Sequence, residues 1–241
     1  MSRSRATLAT GIAAGIAANY WLLEGLLADR TDAAGGWVSD LGARSESTGW
    51  IFDLLDVGAG ALLLAFALLG RASLAARGPA LRWGSIALVV TAACSLIDGA
   101  FPLSCAESLP SSCELDYDAV DLVHIAETFV AIAATIAAFT LLAAGFLSDE
   151  GPGLRRLGMI TAVAGTLWVL CNLMMGGSYL IDDLESVRGV FHRASQMIFG
   201  AWLIALAIGL SGLRAPRGAK PSPGLGRIDG DGEATEPVRL S

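Results

Sequence analysis

The sequence predicts an all-α, six-helix transmembrane bundle from three observations: a strongly apolar composition, six long apolar runs, and arginines gathered on one set of connections. Over 241 residues the chain is 54% hydrophobic and 16% charged, with a mean hydropathy of +0.60, a balance that suits lipid rather than water. A helix needs roughly 20 mainly apolar residues to cross about 30 Å of hydrocarbon. Runs 6–28, 50–70, 82–101, 122–147, 157–180 and 190–213 meet that length. They are rich in Ala, Leu and Gly and lack the alternating segments of a membrane barrel, so helices are expected.

The first run follows Ser2-Arg3-Ser4-Arg5, a basic start shared by signal peptides and anchor helices. Its length, and an Asn19-Tyr20-Trp21 patch resembling an interfacial belt, favour a retained anchor. The second run carries Asp53 and Asp56 on one face, and the third a stripe of Thr91, Ser95 and Asp98 that ends at Gly99-Ala100-Phe101-Pro102, where proline stops the helix. The fourth run is entered through Asp121, His124 and Glu127 at three-residue intervals, with Thr128 beside them. The fifth contributes Asn172 and Tyr179, and the sixth opens on His192, Arg193, Ser195 and Gln196. Residues 1–213 therefore form the membrane domain. Residues 214–241, rich in Pro, Gly and charge, are expected to be a disordered tail, because they bury too little apolar surface to offset the entropy of ordering.

Orientation follows from the basic residues, which resist translocation. Arg3, Arg5, Arg71, Arg77, Arg82, Arg155, Arg156, Arg214, Arg217 and Lys220 fall on one side, against Arg30, Arg44, Arg188 and Arg193 on the other. Both termini are thus expected in the cytoplasm of a cell with this protein in its inner or plasma membrane. The acidic residues lie opposite, so the formal charge of −7 describes a polarised molecule and does not point to nucleic acid. Cys105 and Cys113 share an outer loop, where oxidising conditions favour a disulfide, while Cys94 and Cys171 read as small buried hydrophobes.

Ionisable groups inside apolar spans are costly and face the bundle interior or water. Here they gather at one depth, on the acidic side. His124-Ile125-Ala126-Glu127-Thr128 and His192-Arg193-Ala194-Ser195-Gln196 share the pattern His, any residue, Ala and two polar residues, a weak internal regularity. The loop segment Trp37-Val38-Ser39-Asp40-Leu41-Gly42 and the end of the third helix are placed to cover this cluster.

The Ser39-Asp40-Leu41-Gly42 segment, Asp98-Gly99-Ala100-Phe101-Pro102 and a single His opening the fourth helix resemble the domain of unknown function 998 family of multi-pass membrane proteins, over about residues 6–213. The resemblance implies six helices and transfers no activity. A more distant likeness is to intramembrane hydrolases of the alkaline ceramidase superfamily. Those usually have seven helices and a paired His motif in the last, whereas this chain has six runs and two histidines in all.

Three functional readings follow. In the first, Asp98, His124 and His192 hold one divalent metal such as zinc, and Glu127 or Asp53 is the general base of a hydrolase acting on a lipid or lipid-linked substrate. In the second, the acids and histidines carry protons or ions across the bundle. In the third, the primary reading to which the other two are alternatives, the polar cluster of Ser39, Asp40, Asp56, Ser95, Asn172, Arg193 and Gln196 joins helices in a protein with a scaffold, sensor or envelope-associated role, with Arg193 pairing with Asp53 or Asp56 and the Gly11, Gly15, Gly58, Gly60 and Ala61 positions marking close contacts or a homo-oligomer face. The chain has no GxSxG elbow, Walker loop, HExxH, Rossmann or CxxCH pattern.

Overall fold

The computed structural model describes residues 2–28, 32–108 and 118–212. Its α-helices are α1 (Arg3–Ala17), α2 (Glu24–Leu27), α3 (Gly49–Ala75), α4 (Pro79–Ala100), α5 (Ala119–Leu147), α6 (Pro152–Gly177), α7 (Asp182–Glu185) and α8 (Arg188–Ser211). There is no strand among the described residues. Helices α3, α4, α5, α6 and α8 are each long and apolar enough to span a membrane, and α1 with the Tyr20–Leu27 segment makes a sixth, bent by 51°.

The long helices pack as a closed ring in the order α1, α3, α4, α5, α6, α8, with α8 returning to α1. An even number of crossings brings both ends together: Ser4 Oγ donates to the Ser211 carbonyl at 2.9 Å. That end also carries Arg3, which donates to the Leu69 carbonyl, and Arg77, which pairs with Asp149 at 3.3 Å. We refer to it as the basic end and to the opposite one as the acidic end. Residues 214–241 and Cys113 lie outside the described residues, so the expectations for the tail and for a Cys105–Cys113 bond fall there too. Cys94 and Cys171 are free thiols.

The helices overrun the apolar segments at the basic end, where α3 continues to Ala75 and α6 begins at Pro152. Loss of hydrophobicity marks the edge of the hydrocarbon, whereas Arg, Ala and Leu keep a helix going beyond it. Proline starts α4 and α6, since its missing amide hydrogen is unneeded in a first turn. Gly78 reverses the chain between α3 and α4 at a φ of 143°, which side chains disfavour.

The first span departs from the expected single helix. Asn19 Nδ2 donates to the Gly15 carbonyl at 3.0 Å, taking the acceptor that the Asn19 amide would use in an α-helix, and that amide turns to Ile16 instead. The chain tightens into a 3-10 turn over Tyr20–Leu23 and bends. Trp21, expected in an interfacial belt, is 9% exposed inside the protein.

Below the acidic end the ring is filled by apolar side chains. Phe139, Trp168, Phe199 and Trp202 form an aromatic layer, with the Phe139 and Trp202 centroids 4.3 Å apart, and Trp202 Nε1 donates to Thr161 Oγ1 at 3.1 Å. Leu142, Leu203, Leu206 and Ala207 continue the core toward the basic end.

Candidate metal centre

Two glycines let α4 approach α3 closely enough to join their carboxylates. A Cβ on Gly99 would lie 2.8 Å from the Asp53 carbonyl oxygen and 2.9 Å from the Val57 nitrogen, and one on Gly60 would lie 2.8 Å from the Leu96 nitrogen. With backbones in contact there, Asp53 and Asp56 from α3 meet Asp98 from α4, and all three line one small cavity with room for about one water. His124 of α5 supplies the opposite wall. Ser39, Gly42 and Pro102 approach from the loops, and Tyr20 and Phe52 add two aromatic rings 6.4 Å apart.

Helix α5 is held at its entrance by a capping box: Asp118 accepts from the Val120 and Asp121 amides, and Asp121 accepts from the Asp118 amide. Asp121 also accepts from the Ser104 amide at 2.7 Å, tying the connection after α4 to α5. Its part is structural. Arg44 pairs with Asp118 at 2.6 Å and holds that carboxyl below the usual range.

One turn into α5, His124 Nδ1 lies 3.1 Å from the Phe101 carbonyl oxygen and 3.2 Å from Asp98 Oδ1. Both are acceptors, so a proton on Nδ1 satisfies the Phe101 carbonyl and faces Asp98. Ligand atoms of Asp98, His124 and Glu127 lie within 4.8 Å of one another. Asp98 is also within hydrogen-bonding reach of both Asp56 and Glu127. Yet Asp56 Oδ2 and Glu127 Oε2 are buried with no hydrogen-bond partner, and Glu127 as a residue is only 8% exposed. Carboxylate oxygens that face one another need a proton or a cation between them.

The group that converges differs from the expected ligand set at one residue. His192 accepts the Val38 amide hydrogen on Nδ1 at 3.2 Å and sits edge-on to Trp37. Its ring proton is therefore on Nε2, and Glu127, expected as a base, is the residue whose carboxylate lies with Asp98 and His124. The short sequence regularity does have a counterpart: each histidine lies about one turn inside its helix, bonded to the backbone of a connecting segment.

The remaining predicted residues divide. Ser39, Asp53 and Asp56 join Asp98 and His124 around the cavity. Ser95 donates to the Thr91 carbonyl, Asn172 to the Trp168 carbonyl, and Gln196 does not line the cavity. Arg193 pairs with neither Asp53 nor Asp56 but with Glu24, because the bend in the first span carries Glu24 to it. Sequence reasoning missed Glu24 and Tyr20. The signal for both was Asn19, whose side chain competes for backbone hydrogen bonds inside an apolar run.

Asp40 lies beside the cavity rather than in it, 4% exposed, and accepts from the Trp37 amide at 3.1 Å, the Glu107 amide at 3.0 Å and the Ser108 hydroxyl. It thereby joins the loop after the first span to the loop after α4. Burial raises its pKa to about 6, against the lowering effect of these donors.

Residues 11–209 match the profile of a family described as a protein of unknown function (DUF998). No curated protein and no solved structure matches the chain.

Proposed function

We propose that this chain, which belongs to the DUF998 family, is a membrane-embedded metal-dependent hydrolase whose acidic end faces outward from the inner or plasma membrane and cleaves a lipid or lipid-linked substrate. The observation that carries this reading is the convergence of Asp98, His124 and Glu127 ligand atoms within 4.8 Å, at a cavity, with buried carboxylate oxygens left without donors. Two carboxylates and one imidazole suit a divalent ion such as zinc or manganese, and an incomplete ligand set leaves positions for water. The metal supplies charge that lowers the pKa of a bound water toward about 7.

Asp53, on the cavity wall and outside the ligand set, would serve as the general base, accepting a proton from the water that attacks the substrate carbonyl carbon. That proton then passes to the leaving oxygen or nitrogen as the acyl bond breaks, so acid and alcohol or amine are released. Transport is disfavoured by the aromatic layer beneath the cluster, where the buried polar contacts are Thr91 with Thr135 and Trp202 with Thr161. The distribution of arginine supports the outward orientation, and an oxidising exterior would allow Cys105 and Cys113 to pair.

Elemental analysis of detergent-purified protein tests the centre: about one equivalent of divalent metal is expected, retained through gel filtration. Its absence after incubation with zinc and with manganese would remove the reading.

A further inference from the structure

The cavity beside the ligand group has room for about one water, so a hydrated ion or a substrate carbonyl reaches Asp98, His124 and Glu127 only when one of its walls moves. The helical walls are fixed. Backbone contact at Gly60 and Gly99 holds α3 to α4, and the connection after α4 is bonded to α5 through Phe101 with His124 and Ser104 with Asp121. The first span, which carries Tyr20, is held to α8 by the pair of Glu24 with Arg193. The remaining wall is the 3-10 turn Ser39–Gly42, which contributes Ser39 and Gly42. Gly42 lies directly against Asp53, since a Cβ there would overlap Asp53 Oδ1. The turn thus covers the carboxylate assigned as general base.

The segments on either side of the turn are pinned. Before it, Arg193 donates to the Gly36 carbonyl at 2.8 Å and the Val38 amide donates to His192. After it, the Arg44 amide donates to the Leu103 carbonyl at 2.8 Å, the Ala106 amide donates to Ser45 Oγ at 3.2 Å, and Ala43 packs against Leu103 and Ala106. Within the turn, the tie to the loop after α4 is Asp40, which is 4% exposed and accepts from the Glu107 amide at 3.0 Å and from the Ser108 hydroxyl. A buried carboxyl that loses its donors loses much of what keeps it inside, so parting at this one residue frees the turn while its flanks stay docked. We propose that the Ser39–Gly42 turn is the door of the centre and Asp40 its latch: release of Asp40 from Glu107 and Ser108 lifts Gly42 off Asp53 and admits the ion, and then the substrate, from the acidic end. What enters rests on the hydrolase reading, whereas the door rests on the loop contacts alone.

The test uses the full chain in detergent, loaded with zinc and mixed with a chromophoric chelator at concentrations where the rate of zinc release no longer depends on chelator. Asp40→Ala is expected to release zinc at least about tenfold faster than the parent protein at unchanged stoichiometry, because it removes the latch and no ligand. Gly42→Ala, whose Cβ holds the turn away from Asp53, should do the same, and it decides the question if Asp40→Ala does not fold. Release rates equal to the parent's overturn the proposal. Loss of zinc at equilibrium from Asp40→Ala overturns it too, since Asp40 would then belong to the centre itself. If the parent protein binds neither zinc nor manganese, the hydrolase reading fails by itself, and the door is decided without metal. In an Asp53→Cys protein, reaction of position 53 with a water-soluble methanethiosulfonate, read by peptide mass, should be at least about tenfold faster once Asp40→Ala is added. Equal labelling rates overturn the door.

Discussion

Arg193 and Glu24 form a two-pronged ion pair inside the acidic end, with Nη2 to Oε2 at 2.5 Å and Nε to Oε1 at 3.0 Å. The residues are 6% and 8% exposed. Arg193 also donates to the Gly36 carbonyl at 2.8 Å and lies 5.8 Å from the Trp21 ring centroid, so one side chain fastens α8 to the bent first span and to the loop beyond it. Removing one partner strands the other charge, at a cost of about 3–5 kcal/mol. Glu24→Gln should therefore lower the melting temperature of the detergent-solubilised protein sharply, and Glu24→Leu with Arg193→Met should recover much of the loss. An unchanged melting temperature in the single variant would show that the pair does not hold the span.

The two histidines should behave differently. His124→Ala and Glu127→Gln are expected to lose bound metal, whereas His192→Ala keeps its stoichiometry, because its Nδ1 is occupied by the Val38 amide. Elemental analysis of the three variants reads this directly. Metal lost from His192→Ala alone would restore that residue to the ligand set.

Because bound metal requires deprotonated ligands, uptake should release protons and tighten as pH rises. Calorimetry in buffers of different ionisation enthalpy measures that release, and uptake without proton release would overturn the expectation.

Asp40 gives the two outer loops a pH dependence whose sign follows from burial. Its pKa rises from 3.8 to about 6 on folding, so the unfolded chain gives up its proton first and the neutral form favours the closed loops. Stability from this group is greatest below about pH 4 and falls as pH rises to 6 and above, by up to roughly 3 kcal/mol for a shift of about two units. Hydrogen exchange at the Trp37 and Glu107 amides, corrected for intrinsic rates, should show protection declining across that window. Asp40→Asn should flatten the profile, and a wild-type profile that is already flat would refute the assignment.

Small residues also separate by context. Gly99→Ala is expected to push α4 from α3 and cost about 1–3 kcal/mol, with weaker metal retention, since its Cβ would meet the Asp53 carbonyl and Val57 backbone. Gly58→Ala should be neutral or stabilising by up to about 1 kcal/mol, because nothing lies within 4 Å of its would-be Cβ and alanine favours the helix. Gly11 and Gly15 likewise face Phe66 and Ile204 within the bundle, so they serve internal packing rather than a homo-oligomer face.

The sequence by itself determined that the chain is helical and suited to a membrane, because length and hydropathy of a run are local properties and lipid leaves few alternatives for the backbone. It also determined that Asp53, Asp56, Asp98, His124 and Glu127 share one end, since each has a definite position along an apolar run. Which of them touch was decided by the ring order of the helices and by the close approach at Gly60 and Gly99, and both depend on contacts between residues far apart in the chain. The same holds for His192, whose Nδ1 accepts from an amide 154 residues away. It holds again for Glu24, which reaches Arg193 because an Asn19 side chain redirects a backbone bond. Depth in the bilayer is written along a helix, whereas rotation and neighbours are set by packing.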